Sequence, residues 1–378
     1  NRVFRTSLAA DKDLGKGWKI TVEGIYTKNI NEIDYKNVNI IPPTQKSVGP
    51  DARNVYNLTS NNVPVPIPMR TGTATNPYTG VYLLSNNDGD KGYSYTASFS
   101  VDKRWADGWA VNANYTYGKS MVLNEGTSSQ NVSQWRFMET VNGRNYMTLS
   151  RSDFDPGHRI NAYAAKKFTY GRGMFATTVS LVYNGQSGNP YSYVLNRGMV
   201  RDYDNNETND LIYIPTETEL QAMTFVNNTV GTGANAVTYT PAQQKEAFEA
   251  FIQGDKYLKK HRGQYSERNG ARFPFTHVLD FKLQQDFNVK LGGKTYQIQL
   301  TYDIFNFTNM LNRDWGKTYF LSNDQSVILE MAGYTSASNL TPTYKFTPLA
   351  SGTPYTLSDG VFNSARWSSQ VGIRFNFF

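Results

Sequence analysis

The sequence predicts an all-β fold: an antiparallel transmembrane β-barrel segment of about nine strands, with short turns at one end and long loops at the other. Three observations predict it. Long stretches alternate aromatic or aliphatic residues with Ser, Thr, Asn or Gln, the period-two signature of a strand with one apolar and one polar face. Tight Gly-bearing turns alternate strictly with long polar connections. Aromatic residues make up 14% of the 378, with 26 Tyr against 21 Phe and 6 Trp, a bias suited to rings that sit half in lipid and half in water.

The stretch from Gly92 to Ser120 shows the pattern best. Tyr93, Tyr95, Ala97, Phe99 and Val101 alternate with Ser94, Thr96, Ser98, Ser100 and Asp102. After Asp107-Gly108, Trp109, Val111, Ala113, Tyr115 and Tyr117 alternate with Ala110, Asn112, Asn114, Thr116 and Gly118. A soluble sandwich strand alternates too, with its apolar face inward. Here the polar face is Ser/Thr/Asn and not Lys/Glu, and Trp105 and Trp109 flank the turn. That combination fits an inside-out barrel, rings toward lipid and hydroxyls toward a wet lumen.

Taken in order, Arg2–Ala10 is a strand and Asp11 to Gly17 a turn. Trp18, Ile20, Val22, Gly24 and Tyr26 mark the apolar face of the return strand. Residues 36–91 are rich in Asn, Pro, Gly and Thr and read as a long loop, since the prolines of NNVPVPIPMR have no N–H for a central ladder. The Gly92–Ser120 hairpin follows, then a loop over 122–156. Ile160, Ala162, Ala164 and Phe168, a turn at Tyr170 to Gly173, and Phe175, Thr177, Val179, Leu181 and Tyr183 form the next hairpin. The loop over 188–272 carries one helix signal: Thr240 as N-cap, Pro241 at the first helical position, Gln243 at N3, and Ala247, Phe248, Phe251 and Ile252 on one face. Leu279, Phe281, Leu283, Phe287 and Val289 turn at Gly292-Gly293 into Tyr296, Ile298, Leu300, Tyr302 and Ile304. Residues 306–366 are loop, and VGIRFNFF ends the chain as a ninth strand. Each tight turn is followed by an aromatic, Trp18, Trp109, Phe175 and Tyr296; with Trp105 these are the expected membrane-interface rings.

Composition narrows the function classes. No run approaches the ~18 apolar residues of a transmembrane helix. The balance of 38 Lys+Arg against 31 Asp+Glu reads as a solvated surface; the one dense basic cluster, Lys256 to Arg262, has no stacking module around it, so no nucleic-acid partner is expected. Cysteine is absent, so neither disulfides nor thiol nucleophiles enter. No Walker A, GxGxxG, GxSxG or HExxH motif occurs, and the three histidines have no positioned serine partner, so no catalytic residues and no enzyme activity are expected. The chain starts at Asn1 without a charged and apolar leader, which suggests a processed or partial piece. One metal site suggests itself: Asp202, Asp204, Asn206, Thr208 and Asp210 alternate oxygen side chains as the first positions of a wrapped Ca²⁺ loop do. Glu207 stands where such loops carry Gly and Tyr213 where they carry a bidentate Glu, and a polar surface turn is the other reading.

Several motifs carry a family resemblance: SDFDPGHRI (Ser152 to Ile160), SGNPYS (Ser187 to Ser192), DYDNNETNDLIYIP (Asp202 to Pro215), RNGARFPFTHVLDFKLQQDF (Arg268 to Phe287) and DIFNFTNMLNRDWG (Asp303 to Gly316). With them the chain resembles, over essentially its whole length, the C-terminal barrel portion of Oar-like TonB-dependent outer-membrane receptors that carry a carboxypeptidase-regulatory-like domain. The ending resembles the signal read by barrel-assembly machinery, with Gly372 one residue from the usual place and Phe378 added. The resemblance implies a 22-stranded, plugged barrel in the cell outer membrane of a Gram-negative bacterium. It implies passage of a peptide, protein, glycan or chelate driven by TonB–ExbB–ExbD. The expected partners are outer-membrane lipid, the remaining strands and plug of the same protein, the TonB complex and the assembly machinery. A surface protein that uses the barrel as an anchor and the loops for adhesion is the alternative.

Overall fold

The computed structural model describes residues 2–59, 64–67, 80–87, 89–203, 208–336, 338–349, 352–357 and 365–377. Nine long strands form one continuous path: β1 (Arg2–Gly15), β2 (Trp18–Asn37), β3 (Tyr93–Ala106), β4 (Trp109–Val122), β5 (Gly157–Tyr170), β6 (Phe175–Gln186), β7 (Thr276–Leu291), β8 (Lys294–Phe305) and β9 (Ser368–Phe377). Each pairs antiparallel with its chain neighbour. The sheet is not closed: among the described residues β1 pairs only with β2, and β9 only with β8.

The turns are as short as their sequences demand. Asp107 and Gly108 both have positive φ, 55° and 73°, as do Gly292 and Gly293, 58° and 77°. Two successive positive φ values define the type I′ turn, whose twist matches that of the strands it joins. The expected turn over Asp11 to Gly17 is tighter than the composition suggests. β1 continues to Gly15, and Lys19 bridges to Asp11 at 3.1 Å across the extended ladder. β2 is also longer, running to Asn37, and Tyr82–Asn87 pairs with its far end, so the span 36–91 is not all loop.

The two faces of the sheet are inverted relative to a soluble protein. Phe99, Leu181, Leu283 and Leu300 are 38–45% exposed. On the opposite face Ala165, Ala176, Thr178, Ser180 and Asp286 are buried, although they are smaller or polar. A flat sheet would shade both faces alike, so this sheet curls with the small polar face inside. Polar pairs line that concave side, most of them across strands. Ser98 Oγ meets Thr116 Oγ1 at 2.9 Å, Lys282 bridges to Asp303 at 2.9 Å, and Asp286 accepts from Gln284 (3.1 Å) and Gln299 (2.9 Å). Ser98 and Asn114 lie half-buried on the concave side and Phe99 lies bare on the convex one, which is the inside-out arrangement.

The conventional core lies elsewhere, in the long connections. Residues 188–272 and 306–366 are not plain loops. Their segments Thr224–Phe225, Pro342–Phe346, Gln325–Tyr334, Pro190–Asn196 and Ala271–Arg272 form a five-stranded mixed sheet in that order. The helix Pro241–Gly254 packs on it with the full capping box expected at Thr240 and Gln243. Phe248 and Ile252 are fully buried, with Phe248 at 5.0 Å from Phe346. A second capping box, Thr216 with Glu219, starts the short helix Glu217–Ala222. A smaller cluster of Tyr35, Ile40, Tyr56, Trp135 and Val200 joins the first three connections. The four long connections thus fold together as a cap at one end of the sheet.

Candidate functional site

The cap is held by buried ion pairs, one within the first connection and one that joins the second connection to the third. Arg53, fully buried, makes a bidentate pair with Asp51 at 2.8 and 2.9 Å, and Tyr344 Oη donates to the same carboxylate at 3.1 Å. Burial works against the Arg53 charge, but Asp51 and Asp210 outweigh it and hold its pKa above the ordinary value. Arg144, equally buried, pairs with Asp202 and lies 5.3 Å from the Trp135 ring. Its own N–H also donates to Asp202. Asp210 accepts the N–H groups of Met199 and Val200, while burial pushes its pKa up to about 6 against the pull of Arg53.

These contacts decide how the proposed Ca²⁺ loop is placed. The Asp202 carboxylate is engaged by Arg144 and that of Asp210 by two backbone amides, and neither is exposed. Thr208 Oγ1 donates to Gln325 at 3.3 Å. Asp204 and Asn206 lie outside the described residues. Asp202 and Asp210 therefore serve as anchors for cap arginine and backbone. Among the described residues no group of three acidic or imidazole side chains is placed to hold a metal ion.

The motifs that carry the family resemblance converge where the cap meets the strand ends. Asp155 takes the N–H of Ser120 at 2.7 Å and the guanidiniums of Arg151 and Arg272. The Asn269 N–H donates to Ser192 Oγ at 2.9 Å, and its amide donates to Asp153 at 2.6 Å. The Asn306 N–H donates to Asp280 at 2.7 Å, and its side chain lies against Gly316, where any Cβ would collide with it. Four of the five motifs thus pin the feet of connections onto the rim of the sheet, whereas Asp202 to Pro215 makes its contacts inside the cap.

Above that rim lies a cavity of about 610 Å³, built from three connections. Glu125, Glu139, Asp153 and Asp324 face it, four acidic groups against the single cation Arg136, together with the amides of Gln134, Asn269 and Gln325 and the apolar Phe137 and Met138. Glu139 accepts from Gln325 at 2.7 Å. Burial raises the pKa of Glu139, and burial plus the Asp153 charge raises those of Glu125 and Asp324. Arg268, buried behind them, donates to the carbonyls of Leu123 (3.0 Å) and Val122 (2.8 Å). Such a lining favours cationic and N–H donor groups. The sequence reading missed this cavity, because its residues come from three connections and share no motif.

The predicted interface rings lie on the convex face at the tight-turn end. Trp105 and Trp109 are exposed, Lys103 sits 5.1 Å over Trp18, and Lys166 sits 5.0 Å over Trp109. Phe175 lies between Tyr170 (5.6 Å) and Phe287 (5.9 Å). Tyr296 pairs with Phe377 in the β8–β9 ladder. Toward the cap end of that face, Tyr115 Oη meets His158 Nδ1 at 2.8 Å and Tyr183 Oη meets His277 Nδ1 at 2.7 Å.

A family described as "Outer membrane beta barrel domain" matches residues 2–326. Among solved structures the chain is similar to the outer membrane transporter YddB from Escherichia coli, at 9% identity and a TM-score of 0.30. That match covers 99% of this chain and 30% of the other, so this chain spans less than a third of its length. No curated protein matches the chain.

Proposed function

The chain belongs to the outer membrane beta barrel domain family and lies in the outer membrane of a Gram-negative bacterium, and on that premise we propose that it is the capped wall of a TonB-dependent transporter. The observation that carries this reading is the concave polar face. A barrel that served only as an anchor would need an apolar outside and no more. Here the inside is lined by small hydroxyls, amides and matched charge pairs, past which a plug or a polar cargo slides without a strong ionic trap. The two open edges, β1 and β9, would leave backbone groups unpaired in hydrocarbon at several kcal/mol each. Further strands of the same protein pair with them, in a barrel of the 22-stranded plugged type.

In this reading the cap receives cargo from outside, and the cavity at its foot takes a cationic or amide-bearing part of it. TonB–ExbB–ExbD then displaces the plug and opens the lumen, while the terminal strand β9 is what the assembly machinery reads. The folded cap by itself would also suit an anchored adhesin. Planar-bilayer recording of the intact protein separates the two. A transporter is silent with its plug in place and conducts steadily once the plug is deleted. A barrel that stays silent after every lumen-filling segment is removed supports the adhesin.

A further inference from the structure

We propose that a second cleft, between the cap helix region and the cap-side end of β7, binds an anionic sugar, a phosphorylated or carboxylated saccharide that is either free or borne by an outer-leaflet glycolipid. The cleft holds about 590 Å³. That lies within the ~300–1,000 Å³ of ordinary ligand sites. It does not depend on the cargo reading above, and it gives a role to the basic run Lys256 to Arg262.

Its walls combine ring faces with unmatched positive charge. Tyr355, Phe275 and Tyr257 line it half-buried; Phe273 is buried behind Tyr355 at 5.6 Å, and Tyr257 stacks on His261 at 4.1 Å. Ring faces of this kind pack against the C–H faces of a sugar, since the π cloud attracts the positive edge of what it meets. Lys256 and Lys260 line the cleft, are exposed, and form no ion pair with a described residue. The other charged groups of the lining are already engaged. Asp255 accepts from Tyr193 Oη and from the N–H groups of Tyr257 and Leu258, each at 2.8 Å. Arg272 is held by Asp155 and the Gly188 carbonyl. Glu267 sits beyond Tyr257, whose hydroxyl takes its N–H at 2.7 Å.

His261 adds a directed polar group. Its Nδ1 lies 2.8 Å from the Tyr257 carbonyl, which can only accept, so Nδ1 carries the proton. Nε2 is then left to accept from a sugar hydroxyl. The position of the cleft explains why a membrane-borne sugar would reach it. Phe275 lines it and lies 4.7 Å from the ring of His277, and His277 shares the convex face with Leu279, Phe281 and Leu283. On that rim the convex face changes from aliphatic side chains to Tyr–His pairs, as expected where hydrocarbon gives way to headgroups.

The test uses the intact protein, in detergent or in nanodiscs, with four probes: glucosamine 1-phosphate, lipid A embedded in nanodiscs, inorganic phosphate and uncharged N-acetylglucosamine. The charged sugars are expected to bind at least about tenfold more tightly than N-acetylglucosamine or phosphate alone, and Lys256→Gln/Lys260→Gln to lose about tenfold, the scale of one or two charge-assisted hydrogen bonds. Both lysines are exposed, so unchanged hydrogen exchange in the cap will show that the double variant is folded. Preference for lipid A assigns the site to a membrane-borne headgroup, and preference for glucosamine 1-phosphate assigns it to a free sugar. Failure of both charged sugars to bind, equal binding of N-acetylglucosamine, or unchanged binding by the folded double variant would overturn the proposal.

Discussion

Two regions of this chain obey opposite rules for the same amino acids. In the sheet, large apolar side chains such as Phe99 and Leu300 are exposed, and Ala165, Thr178 and Ser180 are shaded. In the cap, Phe248, Leu195 and Ile212 are fully buried, and lysines such as Lys256 and Lys259 face outward. The hydrophobic effect has not changed; the solvent has. An apolar side chain gains nothing by leaving hydrocarbon, whereas in water burial stabilises at roughly 25 cal/mol per Å² of apolar area. The sheet instead needs its backbone groups paired, which the long ladders provide apart from register shifts near strand ends and the outer edges of β1 and β9.

The comparison makes predictions that differ by region. The largest effect belongs to the cap core. Phe248→Ala removes a ring packed against Phe346 and Phe225 and is expected to destabilise the cap by about 3–5 kcal/mol. Protease sensitivity should rise in residues 188–272 while the heat-modifiable mobility of the barrel on gels stays intact. Loss of both together would mean that cap and sheet form one cooperative unit.

Next comes the convex face. Leu283→Arg places a charge in hydrocarbon and should cost about 2–4 kcal/mol in bilayer refolding titrations. Ser98→Arg on the concave face should cost under about 1 kcal/mol, since the new charge stays wet. Equal penalties would remove the distinction between the faces.

A pH dependence confined to the cap is third. The folded-state pKa of Asp210 is raised, to about 6, so folding favours its protonated form. Its stabilising contribution is fully present below the unfolded value near 4 and is lost as pH rises through about 6. Glu139 and Glu125, also raised, act with the same sign. Hydrogen exchange in the cap should therefore show the wild type losing stability relative to Asp210→Asn between pH 4 and 7, with no such trend in the strands. A difference that grows in the opposite direction would mean that the Arg53 pair outweighs burial.

The smallest expected effect is at the helix start. Thr240→Ala removes one half of the capping box and should cost about 1 kcal/mol, seen as faster exchange over Pro241–Gly254 alone.

How much of this was legible follows from the same contrast. The nine strands could be read because each carries its own instruction: Tyr93 to Val101 alternates without help from any other segment. The helix at Thr240 was legible because a capping box is local. The cap sheet was not. Tyr191, Tyr193, Val194 and Leu195 are buried on both sides, so they show no alternation, and their partners in Ala271–Arg272 and Gln325–Tyr334 lie far along the chain. The second capping box, at Thr216 and Glu219, was present in the sequence but opens a helix too short to show a face. The ion pair that joins two connections was invisible for the same reason as the cap sheet. Arg144 and Asp202 are 58 residues apart, and nothing in the Asp202–Asp210 stretch itself announces that Asp202 pairs with an arginine of another connection.

The central claim is that the ring-bearing side of the sheet meets hydrocarbon and the hydroxyl-bearing side meets water. Spin labels placed singly at Phe99, Leu283, Ser98 and Asn114 of the intact protein in bilayers test it directly. The account predicts that labels at Phe99 and Leu283 relax with membrane-dissolved oxygen and are hidden from an aqueous nickel chelate, and that labels at Ser98 and Asn114 are quiet to oxygen. Oxygen contact at Ser98 and Asn114, with Phe99 and Leu283 shielded from both reagents, would contradict it.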